Sequence, residues 1–573
     1  MLLAIIIPKG PQRNRFCCRS WRAEPRRRPL WRSRGVGPVW RTVGVAGPGG
    51  APETRDGAAH QRVGQPPDPR VVARSLMTVE RPRQDSNLRT RLRRPVLYPL
   101  SYWGVSTSIV AVGPPGPRPV GRRRALSSAS VSSLAGTTAD GDPSEGPPQR
   151  QLLPLTAEIG PAGSLSVGGC DLVELAERFG TPLFVYDEAH LRARCREAVA
   201  AWGDGVAYAT KAFLCRAMAA LAHEEGMALD VSTGGEMHVA LAAGVPARRL
   251  VLHGNNKSPA ELARAVELGV GRIVVDSFDE IERLGHLTAD LRGADRPRVL
   301  VRVTPGIEAH THEFVRTGHD DTKFGFPLAT GAAARAVAVL AGQPGLDLVG
   351  IHAHIGSQVF EVSSFEQAAD VLSGFFVPLD LPELCVGGGL GVAYVNGERA
   401  PTLADWAEAT RRACWAAGVP RATRITAEPG RAIVATAAVT LYRVGVIKEL
   451  PGVRTFVSVD GGMSDNPRPV LYGSGYEAFV PREAGALRPR VVRVVGKHCE
   501  TGDTLVAEAH VPDDLAVGDV LATPVTGAYG YSMASNYNKV PRPPVLFVAE
   551  GRARVAVRGE TFDDLLALDQ PLG

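Results

Sequence analysis

The chain has 573 residues, 44% hydrophobic and 22% charged, the balance of a folded protein with room for three or four domains. Its net charge of +6 conceals two unlike sequences: residues 1–150 carry +17, from 26 basic and nine acidic side chains, and residues 151–573 carry −11. The acidic part is excluded by its charge as a nucleic-acid binder, and no apolar run approaches the ~18–20 residues that a membrane span needs.

Residues 1–150 show no apolar period of 2 or 3.6 and are dense in Arg, Pro and Gly, which predicts a solvated chain without a core. The opening MLLAIII has no basic n-region and is cut short by Pro8-Lys9, so it is not read as a signal peptide. Clusters such as Arg122-Arg123-Arg124 would suit a disordered arm on nucleic acid, and an Arg-rich, acid-poor stretch would suit a transit peptide, although four Trp before residue 105 fit that badly. The stretch RPRQDSNLRTRLRRPVLYPLSYWG (81–104) instead resembles conceptual translation across a structural-RNA gene. The extension is therefore read as a misplaced start without function, which leaves no nucleic-acid partner. The eight cysteines, Cys17, Cys18, Cys170, Cys195, Cys215, Cys385, Cys414 and Cys499, include no C-x-x-C pair, so zinc and redox spacings are missing and no metal is expected. Scattered single cysteines predict a reducing, cytoplasmic setting.

From about residue 186 short apolar strands alternate with Ala- and Leu-rich helical patterns. Strands are predicted at 206–209, 229–231, 250–253, 272–276, 298–302, 348–354, 383–386 and 424–427. Helices are predicted at 214–226, 235–243, 259–268, 278–290, 328–341, 364–374 and 403–417, with Ser258-Pro259 as a typical start signal. Eight alternating units imply a parallel sheet closed into a (β/α)₈ barrel over residues 186–432. Polar residues gather just after these strands, at Lys211, Ser232, Thr233, Asn255, Asn256, His354, Ser357, 387–389 and Glu428, the edge where such barrels carry their sites. Strands at 432–446, 455–460, 490–495, 504–509, 520–523 and 545–548, with hardly any helix, predict an all-β domain over 433–573, to which 151–185 adds strands.

Lys211 lies between apolar residues in YATKAF (208–213), where burial would disfavour the charged amine and favour covalent chemistry with a carbonyl; a surface lysine at a helix start fits the position equally well. YATKAF, HAHIGSQ (352–358), GGGLG (387–391), EPGR (428–431), NPRPVLYG (466–473), CETGD (499–503) and GAYGYSMASNYN (527–538) stand in one order across residues 155–573. Together they resemble the fold-type III pyridoxal-phosphate-dependent decarboxylases, in particular the diaminopimelate decarboxylase branch, to which EAHTHEFVRTGHDDTKFGF (308–326) is also similar.

The resemblance implies decarboxylation of meso-2,6-diaminopimelate to L-lysine, the last step of lysine biosynthesis, with pyridoxal 5'-phosphate as cofactor. It implies that Lys211 holds the cofactor covalently, that Glu428 faces the pyridine nitrogen as an anion, and that His354 stacks on the ring. His352 is the rival of His354, and one of the two is expected to face the barrel interior. Phosphate binding is implied for Ser357, Gly388, Gly389, Gly430, Arg431 and Tyr529. Substrate recognition is implied for Arg431, Arg468, Tyr472, Glu500 and Tyr529, with arginines matched to carboxylates and Glu500 to the distal ammonium. Cys499 is the implied proton donor, supplied by the neighbouring subunit of a homodimer. The segment 363–384 looks too short for a full crossover helix plus turn, which suggests a local deletion or a sequencing error. A racemase would use a tyrosine where this chain offers Cys499, and an ornithine or arginine decarboxylase would not need Arg468; these are the alternatives.

Overall fold

Eight short strands form one parallel sheet in chain order: Ala207–Ala209, Ala228–Val231, Leu250–Leu252, Arg272–Val275, Arg298–Thr304, Asp347–His352, Glu383–Cys385 and Arg424–Thr426. This is a computed structural model that describes residues 146, 148–307 and 322–572. The extension up to residue 145 and most of the 308–326 motif therefore lie outside the described residues. The sheet closes on itself where Ala207 N–H donates to Ala427 O at 3.0 Å and Ala209 N–H to Pro429 O at 3.1 Å. Each strand lies within two residues of its predicted position, because both faces are apolar and buried and the flanking glycines and prolines stop it.

The helices between the strands are set by local caps. Ser258 and Glu261 form a capping box on Pro259–Leu268, Thr402 and Asp405 form another on Leu403–Ala416, and Ser277 caps Phe278–Leu287. The predicted shortage at 363–384 is corrected by the structure: Val362–Phe376 is a full 15-residue helix, and a single 3₁₀ turn, Val377–Leu379, leads to the next strand. The helix starts ahead of the predicted residue and takes in Ser373–Phe376, of which Ser373 and Phe376 are buried. Two helices escaped prediction: Leu172–Phe179, within the 151–185 stretch where only strands were expected, and Glu188–Trp202. Glu188–Trp202 carries Leu191, Cys195, Ala198 and Trp202 to the core at 4-3-4 spacing, a stripe obscured by interleaved Arg and Glu.

The second sheet runs Thr504–Val511, Arg490–Val495, Arg454–Val459, Ala438–Leu450, Leu183–Asp187, Val545–Ala549 and Arg552–Val557, with Val520–Pro524 also on Ala438–Leu450. Leu183–Asp187, which precedes the barrel, lies antiparallel to Ala438–Leu450 and parallel to Val545–Ala549, so the chain passes through the β sheet before it enters the barrel. The strand predicted from 432 begins at Ala438, because Arg431–Val434 is a short helix. Arg552–Val557 was not anticipated; its alternating Arg and Val leave only weak burial. Among the described residues no helix is long and apolar enough to cross a membrane.

Candidate active site

A cavity of about 470 Å³ opens at the carboxyl ends of the barrel strands. Lys211 sits in the 3₁₀ turn Thr210–Ala212 directly after the first strand, and its exposed surface faces this cavity. The turn is held from the β domain: Tyr529 N–H donates to Ala212 O at 2.8 Å and the Ser532 hydroxyl to the same oxygen at 2.7 Å. Burial works to lower the pKa of the Lys211 amine, but Tyr529, Asp230 and Glu428 outweigh it and leave it above the ordinary lysine value. The sequence suggests an amine depressed by apolar surroundings; Tyr529, with Asp230 and Glu428, reverses the sign. Lys257, by contrast, is closed to chemistry, since it donates to Glu280 at 2.7 Å, Val274 O at 2.7 Å and Gly254 O at 2.8 Å.

Glu428 follows the eighth strand and is gripped from both sides. His253 Nε2 lies 2.8 Å from Oε1 and His352 Nε2 lies 2.9 Å from Oε2. Burial alone would raise the Glu428 pKa, but the two imidazoles outweigh it and hold the carboxyl well below its usual range. His352 and His354 both line the cavity, which corrects the expectation that one of them faces inward. Residues two apart on a strand share a face. Gly388 N–H donates to His354 Nδ1 at 3.1 Å, which places the proton of a neutral ring on Nε2. Burial, helped by Lys211, Arg302 and His352, pushes the His354 pKa well below its ordinary value, so the ring is neutral. The Gly388 amide, foreseen as a phosphate donor, thus orients the imidazole here.

Arg431, also on the cavity wall, donates to Ser357 Oγ at 3.0 Å and to the Tyr394 hydroxyl at 2.6 Å, and its guanidinium lies 4.8 Å from the centre of the Tyr529 ring. Its Nε is buried without a hydrogen-bond partner among the described residues. Gly389 has φ +115°, and a Cβ there would meet Gly356 O at 2.4 Å, so the backbone approaches in a way that glycine alone permits. A buried arginine with an N–H to spare, a reachable lysine and an ionised carboxylate on one cavity fit a phosphorylated pyridine aldehyde.

A family model described as "Pyridoxal-dependent decarboxylase, pyridoxal binding domain" matches residues 188–435. Diaminopimelate decarboxylase of Mycobacterium tuberculosis is 45% identical over 73% of this chain and 99% of its own length, and that of Actinosynnema pretiosum subsp. auranticum is 49% identical over 72% and 94%. The chain belongs to the diaminopimelate decarboxylase family. A solved diaminopimelate decarboxylase from M. jannaschii in complex with L-lysine matches with a TM-score of 0.68 and 31% identity, over 73% of this chain and 98% of that one. A lysine/ornithine decarboxylase from Vibrio vulnificus, at 22% identity, shares the fold.

Of the residues singled out in the sequence, Lys211, His354, Ser357, Gly388, Gly389, Glu428, Gly430, Arg431, Tyr472 and Tyr529 line this diaminopimelate decarboxylase cavity. Arg468 stands one layer back: it is buried, donates to Tyr476 at 2.6 Å, and lies 4.1 Å from the centre of the Tyr394 ring. Cys499 and Glu500 are exposed and do not line the cavity of their own chain. Their loop is nonetheless held: the Tyr537 hydroxyl donates to Glu500, and Asn538 Oδ1 receives the Cys499 N–H at 3.4 Å. Sequence reasoning passed over Asp230, His253 and Arg302, which also line the cavity. His253 directly follows its strand, the signal already used for Lys211 and Glu428, whereas Asp230 and Arg302 lie one and two residues inside the ends of theirs, where that signal does not reach.

Proposed function

We propose that this chain removes the carboxylate next to the reacting amine of meso-2,6-diaminopimelate as CO₂, at the cavity around Lys211, and releases L-lysine. The observation that carries this reading is one cavity lined by Lys211, Glu428 and Arg431 together. Pyridoxal phosphate supplies, when bound, a ring that takes up the electron pair left by departing CO₂. Lys211 attaches it through its amine. Glu428, held ionised, would face the ring nitrogen and favour its protonated form, and the neutral His354 would pack against the ring. Arg431, Ser357, Gly389, Gly430 and Tyr529 receive the phosphate.

Arg468, Tyr472 and Glu500 read the distal amino-acid end, and Cys499 returns a proton to the carbon that lost CO₂. That Cys499 and Glu500 are exposed and outside the cavity of their own chain supports a homodimer in which each subunit lends this loop to its neighbour. Full-length protein loaded with the cofactor is to be incubated with meso-diaminopimelate, ornithine and lysine while CO₂ is followed. Release from diaminopimelate at least ~10²-fold faster than from ornithine is expected, as for a site that pairs a substrate carboxylate. Comparable release from ornithine would sink the substrate assignment.

A further inference from the structure

Two histidines without a role in the chemistry above hold the carboxylate that has one. A carboxylate accepts, so His253 and His352 each donate Nε2–H, one to Oε1 and one to Oε2 of Glu428. The N···O separations of 2.8 and 2.9 Å are hydrogen bonds, shorter than the ~3.3 Å between two ligands of one tetrahedral ion with bonds near 2.0 Å. The two rings meet edge to face with centroids 4.8 Å apart, so neither can turn freely without moving the other. Nδ1 of His352 is buried and has no partner among the described residues, so nothing there stabilises a second proton on the ring. Burial pushes the His352 pKa down to about 4, in agreement. His253 differs. Asp230 Oδ1 lies 3.7 Å from the same Nε2, and Asp230 and Glu428 together outweigh burial and raise its pKa. Lys211, Arg302 and His354 also line this part of the cavity wall, and the buried Cys385 thiol lies against Glu428, its pKa pushed well up by burial and then by that carboxylate.

We propose that His253 and His352 are positioning residues that act through Glu428. Each gives one N–H to one carboxylate oxygen, and the pair fixes the plane of the carboxylate and keeps it anionic where it faces the cofactor nitrogen. The inference rests on the assignment of Glu428 above. A neutral donor on one oxygen and a donor with Asp230 beside it on the other stabilise the anion without withdrawing it from the cavity. A glutamine places its amide near the position of imidazole Nε2 and can keep the bond, whereas an asparagine fills space without reaching Glu428.

The test uses full-length protein, stripped of cofactor and titrated with pyridoxal phosphate, and reads affinity and the absorbance spectrum of the bound cofactor across pH. Glu428→Gln should alter the spectrum and lower affinity. His352→Asn and His253→Asn should shift the spectrum in the same direction, weaken cofactor binding by roughly 10- to 100-fold, the range for a lost bond to a charged group, and lower kcat much more than they raise KM. His352→Gln and His253→Gln should recover most of both readouts. If Asn and Gln variants behave alike, or load the cofactor with the parent spectrum while Glu428→Gln does not, the histidines do not act through Glu428 and the inference fails. If Glu428→Gln itself leaves the spectrum unchanged, the assignment of Glu428 falls and the inference with it.

Discussion

A single proton decides how several buried side chains of this chain behave, and His190 shows it away from the cavity. Its Nδ1 accepts the Leu155 N–H at 3.0 Å, so the native ring is neutral and pins the incoming segment to the helix Glu188–Trp202. Burial lowers its pKa to about 4. The unfolded chain therefore binds a proton at higher pH than the native one, and the contribution of His190 is complete above pH ~6.5 and lost as pH falls toward 4. Between pH 7 and pH 5 the parent should lose about 2 kcal/mol of stability relative to His190→Asn, which keeps an acceptor but takes up no proton. Denaturant titrations at both pH values check this, and a parallel decline in parent and variant would contradict it. Arg468 is the second case at this scale. It is 4% exposed and spends its visible contacts on tyrosines, which leaves its Nε free among the described residues. Truncating one partner of a buried charge pair costs ~2–5 kcal/mol. Arg468→Ala should thus lose turnover of diaminopimelate by more than ~30-fold while cofactor binding, measured by absorbance, changes little. Equal turnover by variant and parent would remove Arg468 from substrate recognition.

Among the elements, the crossover helix Val362–Phe376 is the one whose existence the sequence put in question. Trp406 reports on it: fully buried, it meets Trp202 at 4.7 Å and Phe365 at 5.2 Å between ring centroids, and so joins three helices. Trp406→Ala should cost ~3–5 kcal/mol in equilibrium unfolding, the range for removing a buried aromatic side chain. A loss under ~1 kcal/mol would mean that the helix does not close over it. Strands of the barrel were legible because apolar runs such as LVL at 250–252 are bounded by turn residues and followed by polar ones. Glu188–Trp202 was not, since its charged residues interrupt the stripe, and Arg552–Val557 was not, since an edge strand buries too little to leave a pattern. The site was legible to the same depth. Residues fixed by backbone position, such as Lys211 and Glu428, were found. The hydrogen bonds from His253 and His352 were not, because strands separated by many residues bring them to one carboxylate.

At the scale of the molecule, barrel and β domain are joined where chemistry is expected. The chain enters through Leu183–Asp187 of the β sheet, and the segment carrying Tyr529 and Ser532 returns to clasp Ala212 beside Lys211. Yet the same β domain holds Cys499 and Glu500 away from the cavity, on a loop whose backbone is fixed by Asn538 and whose carboxylate is fixed by Tyr537. These contacts hold the loop on the β domain of its own chain, and in the homodimer proposed above a second subunit docked by symmetry would present it to the neighbour. Lys211→Ala and Cys499→Ala chains should each be inactive alone, the first for want of the amine and the second by the ~10²–10⁴-fold that a general acid contributes. Mixed in equal amounts and allowed to exchange subunits, they should regain roughly a quarter of the parent's activity, because half of the dimers are mixed and one of the two sites in each is whole. Exchange is to be followed independently by native mass spectrometry. Exchange without recovered CO₂ release would mean that Cys499 serves its own chain, and that the tethered loop must move by more than its hydrogen bonds to Asn538 and Tyr537 permit.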